Sequence, residues 1–523
     1  MNSFPAGFSP LTECISRNAK WYPHKTAVIF EDKQLSWKAF NERVNRIANE
    51  LKHIGLAKGD KVVVLSRNCL EYPEILFGTL KAGGIIVPIS TMLKAETVHL
   101  ELNDAGPGAL FADCRSLHLI HEGQGNRIDL SPERRIVLGD RATGWISYAD
   151  FLLAGSAEEP ETVILPEDLY NIIYSSGTTG VPKGIMHAHL ARVFFAMTCG
   201  LEFRIHNEAV SLISTPLYSN GTQLIFLPTI LIGGTLVIMP SFDPAGFLEL
   251  VEKEKCTHAF LVPTQFIRIM ELPEFDRYDT ASVEILLSAA APLRKKTKTD
   301  ILKKFPASKL AELYGITEGI STVLRPDEQF SKPGSVGKPR LGGDIKIVGE
   351  EGEELPNGEI GEIAGCNFSM MTGYYRNPEM TRNVTWRDEK GRLYIKTGDL
   401  GKLDTDGYLY ILDRKKDMII SGGINIFPSD IEDELLKHPE IAEAAVIGVP
   451  HREWGECPLA LVVKRNPDSV LLEEDLKDWV NGRLAKFQRV TAVEFRLSLP
   501  RNDMEKVLKS ELRRPYWEKA IDR

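Results

Sequence analysis

The chain has 523 residues, 43% hydrophobic and 26% charged, a composition that supports large buried cores and, from length, two or more domains. Its formal net charge of −9 argues against a nucleic-acid-binding surface spread over the whole molecule. Seven cysteines, at 14, 69, 114, 199, 256, 366 and 457, are an odd number without metal-ligand spacing, so reduced thiols of a cytoplasmic protein are expected. Met1 to Pro10 lacks a basic cluster followed by an apolar segment, and no secretory signal is expected.

In chain order, Phe40, Val44, Ile47, Ala48, Leu51 and Ile54 form a helical stripe, and the turn Gly55 to Asp60 leads into a strand over Lys61 to Leu65. Leu70 to Lys81 predicts a second helix, ended by Gly83-Gly84 before the strand Ile85 to Pro88. Two such units in succession predict a buried, largely parallel sheet in a layered α/β architecture. The short β-rich run Leu169 to Tyr174 then opens into Ser175-Ser176-Gly177-Thr178-Thr179-Gly180-Val181-Pro182-Lys183-Gly184. Hydroxyls, glycines and a lysine at a strand end can converge on an anion, because backbone N–H groups approach it without intervening Cβ atoms. The spacing is not that of a Walker loop, which has a longer glycine gap and a Ser or Thr after its lysine, so an ordinary P-loop NTPase is disfavoured.

Leu224 to Met239 is the most apolar stretch, but Pro228 and Gly233-Gly234 break it short of the about 18 apolar residues a membrane span needs. A buried helix followed by a core strand is predicted, with no transmembrane segment. Beyond Gly407 to Leu412 a smaller α/β pattern restarts, and Lys415-Lys416-Asp417 with Ser421-Gly422-Gly423 reads as a charged linker and a turn. The expected division is a large multi-layered domain over residues 1–413 and a small α+β domain over 414–523.

Ser176 to Gly184, Tyr314-Gly315-Ile316-Thr317-Glu318, Thr397-Gly398-Asp399, Asp413-Arg414-Lys415-Lys416-Asp417 and Lys506 stand in an order and spacing that resembles the adenylate-forming superfamily of acyl-CoA synthetases, luciferases and peptide-synthetase adenylation domains. The resemblance runs from about Leu35 to Leu512. It implies a large N-terminal domain and a small mobile C-terminal domain that rotates about a hinge at Lys416. It also implies an AMP-forming acid–CoA ligase using ATP, Mg2+ and coenzyme A. A carboxylate is a poor electrophile, so it attacks the α-phosphate of ATP to give an acyl-adenylate and pyrophosphate, a step that concentrates negative charge.

On this resemblance, Ser176, Gly177, Thr178, Thr179, Gly180 and Lys183 hold the phosphates, Thr317 sits at the α-phosphate, and Glu318 is the magnesium ligand. Tyr314 stacks on adenine, with Gly315 and Ala290 in the same nucleotide-binding set. Asp399 accepts hydrogen bonds from the ribose, and Arg414 reaches the same sugar or phosphate. Lys506 acts with Thr178 and Glu318 as a catalytic group, its ammonium placed between carboxylate and α-phosphate. Taken alone, an Asp after Gly is usually a turn former and an Arg beside lysines a solvated charge; the joint order favours the functional reading.

Two positions depart from the family pattern. Glu505 replaces the usual glycine before the lysine, which puts the backbone geometry of that loop in question and offers Lys506 a pairing partner. Ser219, after Tyr218 in Pro216-Leu217-Tyr218-Ser219, replaces a usual histidine at the acyl entrance. No Asp stands near Tyr218 to meet a substrate ammonium, so amino-acid adenylation is disfavoured. Gly315, where acetate-specific relatives carry tryptophan, leaves room for a larger acyl group. No charge is obvious in Val262 to Phe266 or Ser288 to Pro292. A medium-chain fatty, alicyclic or aryl acid is expected.

Ser421 to Asn425 resembles the loop that lines the pantetheine tunnel, with Gly422 and Gly423 permitting close approach; its plainer reading is a hairpin turn. Lys415, Lys486, Arg489 and Lys509 are candidate contacts for CoA phosphates. The alternatives are an adenylating enzyme that loads a separate carrier protein, a nonenzymatic nucleotide-binding protein and, remotely, a luciferase. The partners expected are small molecules (the acid, ATP and CoA) and not nucleic acid; a homodimer is allowed.

Overall fold

The computed structural model describes residues 8–121, 130–175, 182–502 and 505–521. Chain contacts divide it into two compact units, one of Met1–Pro333, Gly337–Asp344 and Cys366–Thr385, the other of Gly334–Val336, Ile345–Gly365 and Trp386–Arg523. The junction expected between 413 and 414 falls at the end of the strand Leu409–Arg414, inside the second unit.

The first unit holds two large sheets among the described residues. One runs from Lys338–Pro339 through Ser321–Leu324, Lys309–Gly315, Ile285–Ala289, His258–Leu261, Val210–Ile213, Thr235–Ile238 and Thr26–Phe30 to Lys33–Ser36. Its central strands, from Lys309–Gly315 to Thr26–Phe30, are mutually parallel. The inner ones, Thr235–Ile238, His258–Leu261 and Ile285–Ala289, are short runs buried on both faces, as parallel strands covered by helices require. The other sheet runs Gly373–Tyr374, Lys183–Ala188, Leu169–Ser175, Ile85–Ile89, Lys61–Leu65, Ala109–Asp113, Arg135–Leu138, Ile146–Ser147.

The predicted strands Lys61–Leu65 and Ile85–Ile89 pair in parallel, Val63 opposite Val87. The first predicted helix spans Trp37–His53, and it begins ahead of the apolar stripe because the Ser36 hydroxyl accepts from the Ala39 N–H at 3.2 Å, capping the first turn. Leu224 to Met239 divides into the helix Gln223–Ile232 and the strand Thr235–Ile238, with Gly233 in the left-handed region at φ 80° between them. Among the described residues no helix is long and apolar enough to cross a membrane.

In the second unit, Leu393–Leu403 pairs antiparallel with both Gly361–Cys366 and Leu409–Arg414. A second sheet orders Ile424–Ile426, Ile419–Ser421, Gly455–Lys464 and Ile441–His451, with Ala492–Arg496 parallel to Gly455–Lys464. The helices Pro428–Leu435 and Glu473–Asn481 cover it, burying Ile431, Leu435, Leu476 and Val480 against Ile419, Val446 and Val462.

Candidate functional site

Ser176, Gly177, Thr178, Thr179 and Gly180, the expected phosphate grip, lie outside the described residues. The strands on either side are within them: Leu169–Ser175 and Lys183–Ala188 form an antiparallel pair with Ser175 opposite Lys183 and Tyr174 opposite Gly184. The Gly184 carbonyl accepts from the Tyr375 N–H at 2.7 Å, and a Cβ on Gly184 would lie 2.9 Å from Ile172 Cγ2 and 3.1 Å from Tyr375 Cβ. Glycine is therefore required where Gly373–Tyr374 joins the sheet.

That pairing sets Tyr374 beside two expected site residues. Its hydroxyl donates to Glu318 Oε1 at 2.7 Å, and the Lys183 ammonium lies 5.9 Å from its ring centroid. Burial, and then the Glu318 carboxylate, push the phenol well above its ordinary value, so the tyrosine remains a donor. The sequence reading missed Tyr374. Its only local signal is a glycine-flanked tyrosine in a turn-rich stretch.

Tyr314 and Gly315 end a central strand, opposite Thr322 and Ser321. Three successive carbonyls of the following turn are held from outside it. Thr317 O meets His187 Nε2 at 2.9 Å, Glu318 O accepts from the Met371 N–H at 2.9 Å, and Gly319 O accepts from Asn367 Nδ2. Gly319 has φ 109°, and a Cβ there would lie 2.4 Å from Ser369 O. At Gly315 a Cβ would lie 2.7 Å from Ile320 O and 3.1 Å from Ser321 Cβ, so the close approach of two strands by itself accounts for this glycine.

Ala290 follows the parallel strand Ile285–Ala289 at φ 74°, exposed, in a conformation that disfavours a side chain. Ala290 and Gly315 thus share the carboxyl edge of one parallel sheet, where open α/β sheets bind ligands.

Tyr218 is buried and Ser219 half-buried. Their segment is pinned by Asn68, whose Oδ1 accepts from Leu217 N–H at 2.8 Å and whose Nδ2 donates to Thr215 O and Met239 O at 3.1 and 3.0 Å. Thr222 Oγ1 donates to Pro216 O at 2.6 Å and Gln223 Nε2 to Leu217 O at 3.1 Å.

In the second unit, Asp399 and Arg414 are register partners, Nε 3.3 Å from Oδ1, and Asp399 is buried. Gly398, at φ 74°, turns the chain so that its carbonyl accepts from Lys415 N–H at 2.9 Å. Lys506 is half-buried in a tight turn: Asn502 N–H donates to Lys506 O and Lys506 N–H to Asn502 Oδ1, each at 2.9 Å. Glu505 stands in the left-handed region at φ 58°, a conformation that glycine adopts without steric cost, with Arg501 donating to its carbonyl.

Burial, then the like charge of Arg414, push the Lys506 ammonium down to about 8; Asp399 and Asp417 oppose the shift and Lys416 adds to it. Arg513 Nη1 donates to the Lys416 carbonyl at 3.0 Å, and Nη2 lies 3.7 Å from Asp417.

Gly422 and Gly423, at φ 57° and 82°, join Ile419–Ser421 to Ile424–Ile426 in a two-residue hairpin turn. Lys486 and Arg489 are exposed, Lys415 pairs with Glu362 at 2.9 Å, and Lys509 is committed to Glu432 at 2.6 Å. Among the described residues no group of three or more His, Cys, Asp or Glu gathers to hold a metal ion. A lone carboxylate with one oxygen braced, as at Glu318, suits Mg2+, which keeps most of its waters.

Residues 15–375 match the model of the AMP-binding enzyme family, and residues 430–506 that of the AMP-binding enzyme C-terminal domain. The chain is 34% identical over 507 residues to feruloyl-CoA synthase of an Amycolatopsis species, covering 96% of this chain and 98% of that one. It is 32% identical over 521 residues to the fatty acid–acyl-carrier-protein ligase ScoC of Streptomyces coeruleorubidus, covering 97% and 96%. Among solved structures, ATP-bound MatB from Rhodopseudomonas palustris superposes with a TM-score of 0.84 at 29% identity over 97% of this chain and 99% of that one.

Proposed function

The chain belongs to the adenylate-forming acyl-CoA synthetase superfamily, an acid–thiol ligase family, and from that premise we propose that it converts a medium-chain fatty, alicyclic or aryl acid to its CoA thioester through acyl-AMP. A carboxylate oxygen of the acid attacks the α-phosphorus of ATP, the bond to the β-phosphate breaks, and pyrophosphate leaves. The thiol of CoA then attacks the acyl carbonyl, loses its proton, and AMP departs.

The observation that carries this reading is the setting of Lys506, an ammonium half-buried beside Asp399 and Arg414 that forms no ion pair among the described residues. A fixed cation at that place offsets the repulsion between two anions and stabilises charge that develops in the transition state. Asp399 accepts from the ribose hydroxyls, Arg414 steadies the sugar and phosphate, Tyr314 stacks on adenine, and Ala290 and Gly315 border the nucleotide. Ser176, Gly177, Thr178, Thr179, Gly180 and Lys183 hold the departing phosphates, and Thr317 the α-phosphate. Glu318 would hold Mg2+, which when bound neutralises phosphate charge.

The Lys416 peptide serves as the hinge about which a small domain, residues 414–523, turns to expose Gly422 and Gly423 to the pantetheine arm. Tyr218, Ser219 and Gly315 shape the acyl pocket. Support for an aryl or fatty acid comes from the relatives named for feruloyl-CoA and fatty-acid ligation.

A panel of carboxylic acids tested for acid-dependent pyrophosphate–ATP exchange, and for AMP release with CoA, tests this reading; no exchange with any acid overturns it. The similarity to ScoC favours one second reading, transfer to a carrier protein. Comparing free CoA with a phosphopantetheinyl carrier as acceptor separates the two.

A further inference from the structure

His187 lies on Lys183–Ala188, four residues beyond the lysine of the phosphate loop, with Asn171 directly opposite on Leu169–Ser175. His187, Asn171 and Arg192 are all buried. Arg192 Nε donates to Asn171 Oδ1 at 2.7 Å, Asn171 Nδ2 donates to His187 Nδ1 at 3.1 Å, and Arg192 Nη2 donates to the same Nδ1 at 3.2 Å. A guanidinium has only donors, so Asn171 must present its oxygen to Arg192 and its NH2 to the imidazole. Nδ1 then receives hydrogen bonds and cannot carry a proton. The proton of the ring sits on Nε2, which faces the Thr317 carbonyl at 2.9 Å, an acceptor only.

Every proton in this cluster is thereby assigned, and its output is one N–H aimed at the peptide between Thr317 and Glu318. We propose that His187 is a positioning residue for adenylate formation, an Nε2–H imidazole that locks the Thr317–Glu318 turn to the strand carrying Lys183. The inference rests on the roles proposed above for Thr317, Glu318 and Lys183. Burial and the neighbouring Arg192 charge, which hold the imidazole well below its ordinary range, keep it neutral at working pH. The lock joins the two segments proposed to meet the same nucleotide: the strand that leaves the phosphate loop, and the turn that bears the α-phosphate and cation contacts. Met371 and Asn367 hold the next two carbonyls, so His187 fixes the end of the turn nearest Tyr314.

Two measurements test the proposal. In the wild-type protein, nitrogen NMR of labelled histidine should show one ring with the proton on Nε2 and no titration between about pH 5.5 and 8.5, spanning the ordinary histidine pKa. A ring protonated on Nδ1, or one that titrates there, overturns the proposal. This test needs no activity, so it stands or falls separately from the ligase reading, which the wild-type exchange assay decides.

Second, His187→Phe keeps the ring's bulk but removes the N–H, whereas His187→Gln retains a donor. Pyrophosphate exchange by His187→Phe should fall about 10- to 100-fold, the range of one lost orienting hydrogen bond in a catalytic array, with a several-fold higher Mg2+ concentration at half-saturation. His187→Gln should recover at least part of the loss, and transfer from supplied acyl-AMP to CoA should change little in both. An unaltered exchange rate and Mg2+ dependence in folded His187→Phe overturns the assignment. So does equal loss of both half-reactions, or a Gln variant no better than Phe.

Discussion

The phenolic oxygen of Tyr374 and Oε1 of Glu318 stand 2.7 Å apart, although 56 residues separate them in the chain. The tyrosine must be the donor, because its phenol is held protonated and the carboxylate can only accept. Tyr374→Phe deletes that donor and little else. A hydrogen bond to a charged group is worth about 1.5–3 kcal/mol, so a loss of roughly 10- to 100-fold in exchange rate is expected, with a higher Mg2+ concentration at half-saturation. Steady-state exchange measured against Mg2+ checks it; unchanged kinetics would remove Tyr374 from the site.

Lys506 titrates at about 8 in the folded chain. The ammonium proposed to act in adenylation is lost as pH rises through that value, so kcat/KM for adenylation should show a descending limb near pH 8, whereas Lys506→Arg, weaker in rate, should not. The stability effect has the opposite sign. Between about pH 8 and 10.4 the unfolded chain binds more protons at this position than the folded one, so this group's contribution to stability rises with pH over that window. A pH–rate profile and denaturation at pH 7.5 and 9.5 check both statements.

Lys506→Ala should abolish acyl-AMP formation and leave attack of CoA on supplied acyl-AMP largely intact. Equal loss of the two half-reactions would count against the ammonium's assigned role.

Glu505 holds a left-handed conformation that costs a residue with a Cβ about 1–2 kcal/mol. The partial compensation is small, since Arg501 Nε is 4.0 Å from its carboxylate at an exposed site. Glu505→Gly should therefore leave the fold unchanged or stabilise it by up to about 1 kcal/mol, with the gain offset by freedom of the unfolded chain. Glu505→Val should destabilise by more than 1 kcal/mol, as expected for a β-branched residue at positive φ. Denaturant midpoints of the two variants check the prediction.

At Gly315 the sequence suggests open room for an acyl group, and the structure adds a second demand. An added Cβ meets the Ile320 carbonyl at 2.7 Å. Gly315→Ala should cost about 1–3 kcal/mol and depress turnover of short and long acids alike. A selective loss of the longer acids, read from kcat/KM across the panel, would instead place the methyl group in the acyl path.

What the sequence revealed follows the range of the interactions concerned. Lys61–Leu65 and Ile85–Ile89 were legible because a run of β-branched residues between turns is a local pattern. Tyr314 to Glu318 and Thr397 to Asp399 were legible as compact motifs whose spacing resembles a known family. The turn at Gly422-Gly423 was legible both ways, as a hairpin and as a loop for a thiol arm, and the hairpin accounts for its positive φ values without settling the other role. His187, Asn68 and Tyr374 were not legible. Their partners lie 130, 149 and 56 residues away and meet them only through strand pairing and buried loops. Lys509 shows the reverse error: a lysine that reads as a surface cation is consumed by Glu432 under a helix.

The grip of Arg513 on the Lys416 carbonyl has a further consequence. Its acceptor belongs to the main chain, which no side-chain replacement deletes, so only the arginine end is open to adjustment. On the hinge role proposed for Lys416, the helix Lys509–Ile521 would act as a brake on that peptide. A shorter cation at 513, or a fusion that pulls this helix away, would retune the tempo between the two chemical steps without altering any group that meets substrate.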